Sequence, residues 1–196
     1  MDVYRAATER RSVRCFKDVA VPGEVLEKCV EAARLAPCGG NWQVLEYLVV
    51  DDEKLLPSVF DNVRFGVRRP PVKGVPDQPK AYIIILVNAD LESGLTRGKH
   101  VTYYDIGLAS ENIMLVAWEN GVGSCPLLRF NPKGLKQVLN IPGKYEIGLV
   151  LAMGYPDEAP QACELTDSST PWLDESGERH VPKRRLGDIM HRNWFS

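Results

Sequence analysis

Three arginines fall within a few positions of one another in RRSVRCF, residues 10–16, where Arg10, Arg11 and Arg14 flank Ser12. A second basic run, Lys183, Arg184 and Arg185, stands far downstream. Guanidinium forks, an ammonium and a hydroxyl all donate hydrogen bonds to an anion, and together they match the acceptor oxygens of a phosphate monoester. Such an ester carries about −1.5 to −2 charges near neutral pH, and each charge-assisted hydrogen bond contributes ~1.5–3 kcal/mol. Either run alone reads equally well as solvated surface charge. Convergence of both on one phosphate would account for their presence in a slightly acidic chain, with 24 Lys and Arg against 26 Asp and Glu and a formal net charge of −2.

Other chemistries find less support. The charge balance gives no general attraction to nucleic acid or to an anionic membrane. Aromatics for base stacking are sparse beside the basic runs, where only Phe16 and Trp194 stand nearby. No G-x-x-x-x-G-K-[ST] loop occurs. GVGSCP, residues 121–126, opens like a dinucleotide fingerprint, but its sixth residue is Pro126 and it follows a helical pattern instead of a strand. No G-x-S-x-G elbow is present, and His100, His180 and His191 have no metal-ligand spacing. Five cysteines (Cys15, Cys29, Cys38, Cys125 and Cys163) are scattered without a C-x-x-C pair, which argues against a disulfide framework or a zinc site. In APCGGNWQ, residues 36–43, Gly39 and Gly40 would let backbone approach a flat ligand, and Asn41 adds a donor and an acceptor. An ordinary glycine-rich helix stop explains the same residues.

The scaffold for these groups follows from length and periodicity. A chain of 196 residues, 44% apolar and 26% charged, predicts one soluble globular domain over 1–196, with 165–196 as a C-terminal arm. No run approaches the ~20 apolar residues of a membrane span, and MDVYRAATERRSV lacks a signal-peptide core, so a cytoplasmic location is expected. Residues 2–9 suit a short helix. VPGEVLEKCVEAARLAP is amphipathic, with Pro22 and Glu24 at its start and Pro37 closing it. LEYLVVD (45–51), AYIIILVNA (81–89) and YEIGLVLAMGYP (145–156) read as strands, the second buried on both faces. EKLLPSVFDNV allows a helix, and RRPPVKGVPDQP an extended surface loop. YYDIGLASENIMLVAWENG (103–121) is helical and apolar over most of its circumference, so it must be buried nearly all round, either within the chain's own core or with a partner subunit supplying part of the cover. GVGSCPLLRF reads as extended, and NPKGLKQVLN as a short helix capped by Asn131. The alternation predicts an α+β or α/β domain.

Taken in order, RRSVRCF, VPGEVLEKCVEAARLAPCGGNWQ, the stretch from YYDIGLASEN to LKQVLNIP, LVLAMGYPDEAP and VPKRRL resemble the nitroreductase family of FMN-dependent enzymes. The resemblance runs nearly end to end and is weakest over residues 52–80. It implies an α+β, three-layer α/β/α fold with a central, mostly antiparallel sheet, a long buried dimer helix and a C-terminal arm. It also implies an obligate homodimer with two FMN sites at its interface. Arg10, Ser12 and Arg14, with Arg11 adjacent, match the family's N-terminal phosphate and ribityl contacts, and Lys183 and Arg185 its C-terminal phosphate contacts. Pro37, Cys38, Gly39 and Asn41 match the segment reaching the flavin from the other subunit, where relatives commonly carry serines at the positions of Cys38 and Gly39. Pro126, Leu127, Leu128 and Arg129 match the stretch passing the ring, presenting backbone N–H groups to its N5 edge. Many relatives have an acidic residue and a glycine in place of Leu128 and Arg129. The implied reaction is ping-pong: NAD(P)H reduces the flavin, then a nitroaromatic, quinone or similar small acceptor takes the electrons. The flavin carries the chemistry, so no catalytic side chain is expected. A dehalogenase-like enzyme of the same fold, usually with a longer lid than 64–80 offers, and a flavin-binding or sensing protein without turnover are the alternatives.

Overall fold

The β-branched run beginning at Ala81 forms the strand around which the other elements are layered. The computed structural model describes residues 2–66, 77–93 and 100–195. In chain order the elements are α1 (Val3–Glu9), α2 (Gly23–Arg34), β1 (Leu45–Val50), α3 (Leu56–Asp61), β2 (Ala81–Asn88), α4 (Ala89–Ser93), α5 (His100–Glu119), β3 (Gly123–Leu127), α6 (Pro132–Val138), β4 (Tyr145–Gly154), β5 (Gln161–Glu164), β6 (Trp172–Leu173) and β7 (Arg179–Lys183). Short 3-10 turns occupy Gly39–Asn41 and Leu186–Asp188. Part of the proline-rich loop expected after residue 67 lies outside the described residues.

A four-stranded antiparallel sheet runs in the order β1–β2–β4–β3. Every residue of β2 is buried, as its unbroken apolar run requires of a strand covered on both faces. Its side chains alternate. Ile83, Ile85 and Val87 join Leu149, Leu151 and Met153 of β4 against Leu26 and Cys29 of α2 and Ile106 and Ile113 of α5. Tyr82, Ile84 and Leu86 join Val150 and Ala152 against Leu56 and Val59 of α3 and Leu135 of α6. The result is the expected α+β, three-layer arrangement. Asn131 caps α6 by accepting from the Gly134 N–H at 3.2 Å.

Helix α5 begins a few residues earlier than its sequence pattern suggested. Ile106, Ala109, Ile113 and Ala117 face the core. Its opposite face is bare in a single chain, with Tyr103 and Tyr104 about seven-tenths exposed and Leu108 nearly half exposed. None of the described helices is long and apolar enough to cross a membrane.

The C-terminal region is more regular than its polar, turn-rich sequence implies. β5 pairs in parallel with β7, and β6 pairs antiparallel with β7, giving a second, three-stranded sheet that begins before residue 165. The turn joining β6 to β7 is organised by Asp174. Its carboxylate accepts from Ser176 Oγ (2.7 Å), from the backbone N–H of Ser176 and Glu178, and pairs with His180 Nε2 at 2.9 Å. These bonds, that from Ser176 foremost, hold the Asp174 carboxyl well below the usual carboxylate range. The Trp172 ring stacks on His180 at 4.2 Å.

Candidate functional site

The two basic runs meet. Arg10, Arg11, Ser12, Arg14 and Lys183 line one cleft of about 240 Å³, together with Pro171 and Val181. The N-terminal segment reaches it by pairing with the edge strand β3 and with the chain just past β4. The Val13 N–H donates to the Ser124 carbonyl (2.9 Å), Lys17 N–H to Tyr155 O (2.9 Å), and Asp157 N–H to Cys15 O (3.0 Å). Val13, Cys15 and Phe16 are fully buried, so alternation turns Ser12 and Arg14 toward the cleft. Gly123 makes the approach possible, because a Cβ there would lie 2.7 Å from Val13 Cγ2. From the other side, β7 presents Val181 and Lys183 by the same alternation.

The cleft is electrostatically unfinished. Arg10 Nε lies 3.4 Å from Glu111 Oε1, and Arg179, behind the cleft, lies 3.7 Å from Glu158 Oε2. Arg11 and Lys183 bring two further cations to the same cleft. Among the described residues, the buried Nε of Arg11 and Nη2 of Arg179 have no hydrogen-bond acceptor. Burial first, and Arg10 second, lower the Arg11 pKa from its ordinary value. Burial and then Arg14 lower that of Arg179, with Glu158 opposing. A dianionic group with several acceptor oxygens in the cleft would offset the burial of the Arg11 charge and its repulsion by Arg10, and the donor set fits a phosphate monoester.

Arg185 is placed elsewhere. Its side chain is exposed and pairs with Glu164 on β5. Arg179 and Glu158, paired beside the N-terminal segment, and Asp105, bonded to the Gly39 N–H, are residues that the spacing of basic runs did not single out. The one available signal was the alternation Arg179, Val181, Lys183, which puts all three on one face of β7.

The segment Pro126–Arg129 follows Ser124, which bridges to Ser12 of the cleft lining, but is not itself among the cleft's lining residues. Ser124 uses its carbonyl toward Val13, so alternate residues of β3 turn their backbone groups to that outer edge. Pro126 falls there and has no N–H to offer, as suits a proline on an edge strand. Leu128, the first residue past β3, has a highly exposed side chain, while the Leu127 side chain is buried in the core. Arg129 accepts from the Arg64 N–H at 2.8 Å through its carbonyl.

Pro37, Cys38, Gly39 and Asn41 do not line the cationic cleft of their own chain. They lie against α5, where the Gly39 N–H donates to Asp105 Oδ1 at 2.8 Å. The chain bends sharply here through positive φ at Gly40 (62°), Asn41 (56°) and Gln43 (50°). Cys38 Sγ lies 4.0 Å from Asn41 Oδ1. A small pocket beside it includes Cys38, Tyr47 and Asp105. Burial chiefly, with Cys38 and Asp105 adding, pushes the Tyr47 hydroxyl up to about 12. Gly39 has a local reason: a Cβ there would lie 2.3 Å from Val101 Cγ1. Introducing Gly39→Ser should therefore destabilise the fold by ~1–3 kcal/mol through overpacking. Val101→Ala should recover most of that loss in the double variant, as read by urea unfolding.

A family model described as the nitroreductase family matches residues 7–155. The chain belongs to the nitroreductase family. It is 31% identical, over 83% of its length and 90% of the relative's, to a provisionally named NADH dehydrogenase/NAD(P)H nitroreductase of Archaeoglobus fulgidus. It is 27% identical, over 80% of its length and 89% of the relative's, to an iodotyrosine deiodinase of Thermotoga neapolitana. Among solved structures, an FMN-dependent nitroreductase of Clostridium difficile R20291 superposes with a TM-score of 0.69 at 25% identity, covering 98% of this chain and 99% of the other.

Proposed function

We propose that the protein is a homodimeric, FMN-dependent NAD(P)H oxidoreductase that works by a ping-pong mechanism. The observation that carries this reading is the meeting of Arg10, Arg11, Ser12, Arg14 and Lys183 in one cleft beside β3. From Ser124, opposite Ser12, the chain runs four residues to Leu128, about 13 Å at strand rise. That length is comparable with an extended ribityl phosphate joined to a flavin ring. The phosphate would bind the cationic cleft, and the ring would lie along Pro126–Arg129, with the Leu128 N–H directed at its edge. Pro37–Asn41 of a second copy would cover the opposite side, and the bare face of α5 would form the subunit contact.

Bound FMN supplies the two-electron chemistry, for which no amino-acid side chain is suited. The chain's own residues bind and orient it. Arg10, Arg11, Arg14 and Lys183 neutralise the phosphate, while Ser12 offers a further hydroxyl donor. The β3 edge sets the height of the ring, and the turn at Gly39–Asn41 excludes water from one face while leaving room for a flat nicotinamide or acceptor to visit.

Anaerobic stopped-flow mixing tests the activity. NADH or NADPH should bleach the flavin absorption of the loaded protein, and a quinone or nitroaromatic should restore it in a second mixing step. Loaded protein that neither nicotinamide bleaches would instead be a flavin-binding protein without turnover. The Thermotoga neapolitana relative, an iodotyrosine deiodinase, makes an iodotyrosine the informative additional acceptor. Reoxidation by iodotyrosine with no response to quinone or nitroaromatic would move the reading to reductive dehalogenation.

A further inference from the structure

Glu158 and Arg179 form an ion pair directly behind the cationic cleft, with side chains only 3% and 1% exposed. Glu158 follows the end of β4, and its Oε1 accepts hydrogen bonds from the backbone N–H groups of Arg14 and Cys15, the latter at 3.2 Å. The carboxylate therefore holds the loop that presents the first basic run. Arg179 sits at the start of β7, and its face of that strand carries Val181 and Lys183 to the cleft. One buried contact thus joins the two segments that must converge.

A carboxylate is a stronger acceptor for two backbone donors than a neutral amide, but in this position its charge would oppose an incoming phosphate. We propose that Arg179 is a positioning residue that cancels the charge of Glu158, so that Glu158 anchors the Arg10–Arg14 loop without repelling the FMN phosphate. The proposal rests on the FMN reading and extends it to two residues outside the basic runs. The geometry explains why so deeply buried a guanidinium is retained with, among the described residues, one carboxylate partner 3.7 Å away. Its function is electrostatic as well as structural.

The test is the ratio of riboflavin to FMN dissociation constants, since riboflavin lacks only the phosphate. Full-length apoprotein is titrated with each flavin and followed by fluorescence quenching. Wild-type protein should prefer FMN by about a hundredfold or more. Arg179→Met leaves the Glu158 charge uncompensated and should lower that preference about thirtyfold. Glu158→Gln keeps an acceptor for the Arg14 and Cys15 N–H groups but removes the charge, and should raise the preference about threefold or more. The double variant E158Q/R179M should return to within about fivefold of wild type. Arg179→Lys, which keeps the cation in a gentler substitution, should also stay within about fivefold; with E158Q it carries the test if Arg179→Met does not fold. A purely structural role would weaken both flavins alike in every variant and leave the ratio unchanged, which overturns the proposal. Wild-type protein that binds the two flavins equally would remove the FMN reading itself.

Discussion

Replacing Arg11 and Lys183 together by glutamine should leave the purified protein colourless. Each loses one charge-assisted bond to the phosphate, ~1.5–3 kcal/mol apiece, so FMN affinity should fall by about a hundredfold to ten-thousandfold. The two residues come from segments more than half the chain apart, yet they line the same cleft. Loss of either single cation should therefore weaken FMN in the same direction, whereas riboflavin affinity should move less than about threefold. Folding should not suffer, because Arg10 already disfavours the Arg11 charge and removing it relieves that repulsion. Arg185→Gln is the internal contrast. Arg185 is exposed and engaged by Glu164, so its removal should change FMN affinity by less than about threefold. Equilibrium dialysis of each variant against FMN gives the numbers, and thermal unfolding of the apoproteins separates binding from folding.

The second large effect is expected at α5. Tyr104 and Leu108 stand one turn apart on the face that a single chain leaves bare. Placing glutamates at both positions puts charge into the proposed subunit contact, where burial of an unpaired carboxylate costs several kcal/mol. The Y104E/L108E variant should sediment as a monomer at micromolar concentration while wild type sediments as a dimer. In the monomer Pro37–Asn41 of a second copy no longer covers the ring, so FMN affinity should fall by about a hundredfold or more. The folded monomer should persist, since Ile106, Ile113 and Ala117 still seat the other face of α5 on the sheet. A variant that stays dimeric, or a monomer that keeps wild-type FMN affinity, would separate the flavin site from the interface.

These effects show where sequence was informative. β2 was legible because seven consecutive apolar positions, Ala81 to Val87, leave a buried strand as the economical solution. α5 was legible as a helix from its periodicity, but its pattern could not divide the apolar surface between core and exterior. The structure makes that division at Tyr103, Tyr104 and Leu108. The C-terminal sheet was hidden because its order is non-local. Two-residue β6 has no periodicity of its own, and β7 depends on parallel pairing with β5 and on the Asp174 turn. Within the candidate site, residue types announced an anion, but the spacing of Arg14 and Lys183 says nothing of their proximity. Proximity comes from the backbone bonds joining Val13 to Ser124 and Cys15 to Asp157. Arg179 stands outside both basic runs. Only the fold brings it to Glu158.

The central claim is that two segments remote in sequence clasp one phosphate, and a crystal structure of the FMN-loaded protein tests it most directly. The account predicts phosphate oxygens within about 3 Å of the Arg10–Arg14 segment and Lys183 Nζ, with the ring beside Leu128 and against Pro37–Asn41 of a second copy. A phosphate bound elsewhere, with the cleft between Arg11 and Lys183 holding only solvent, would contradict it.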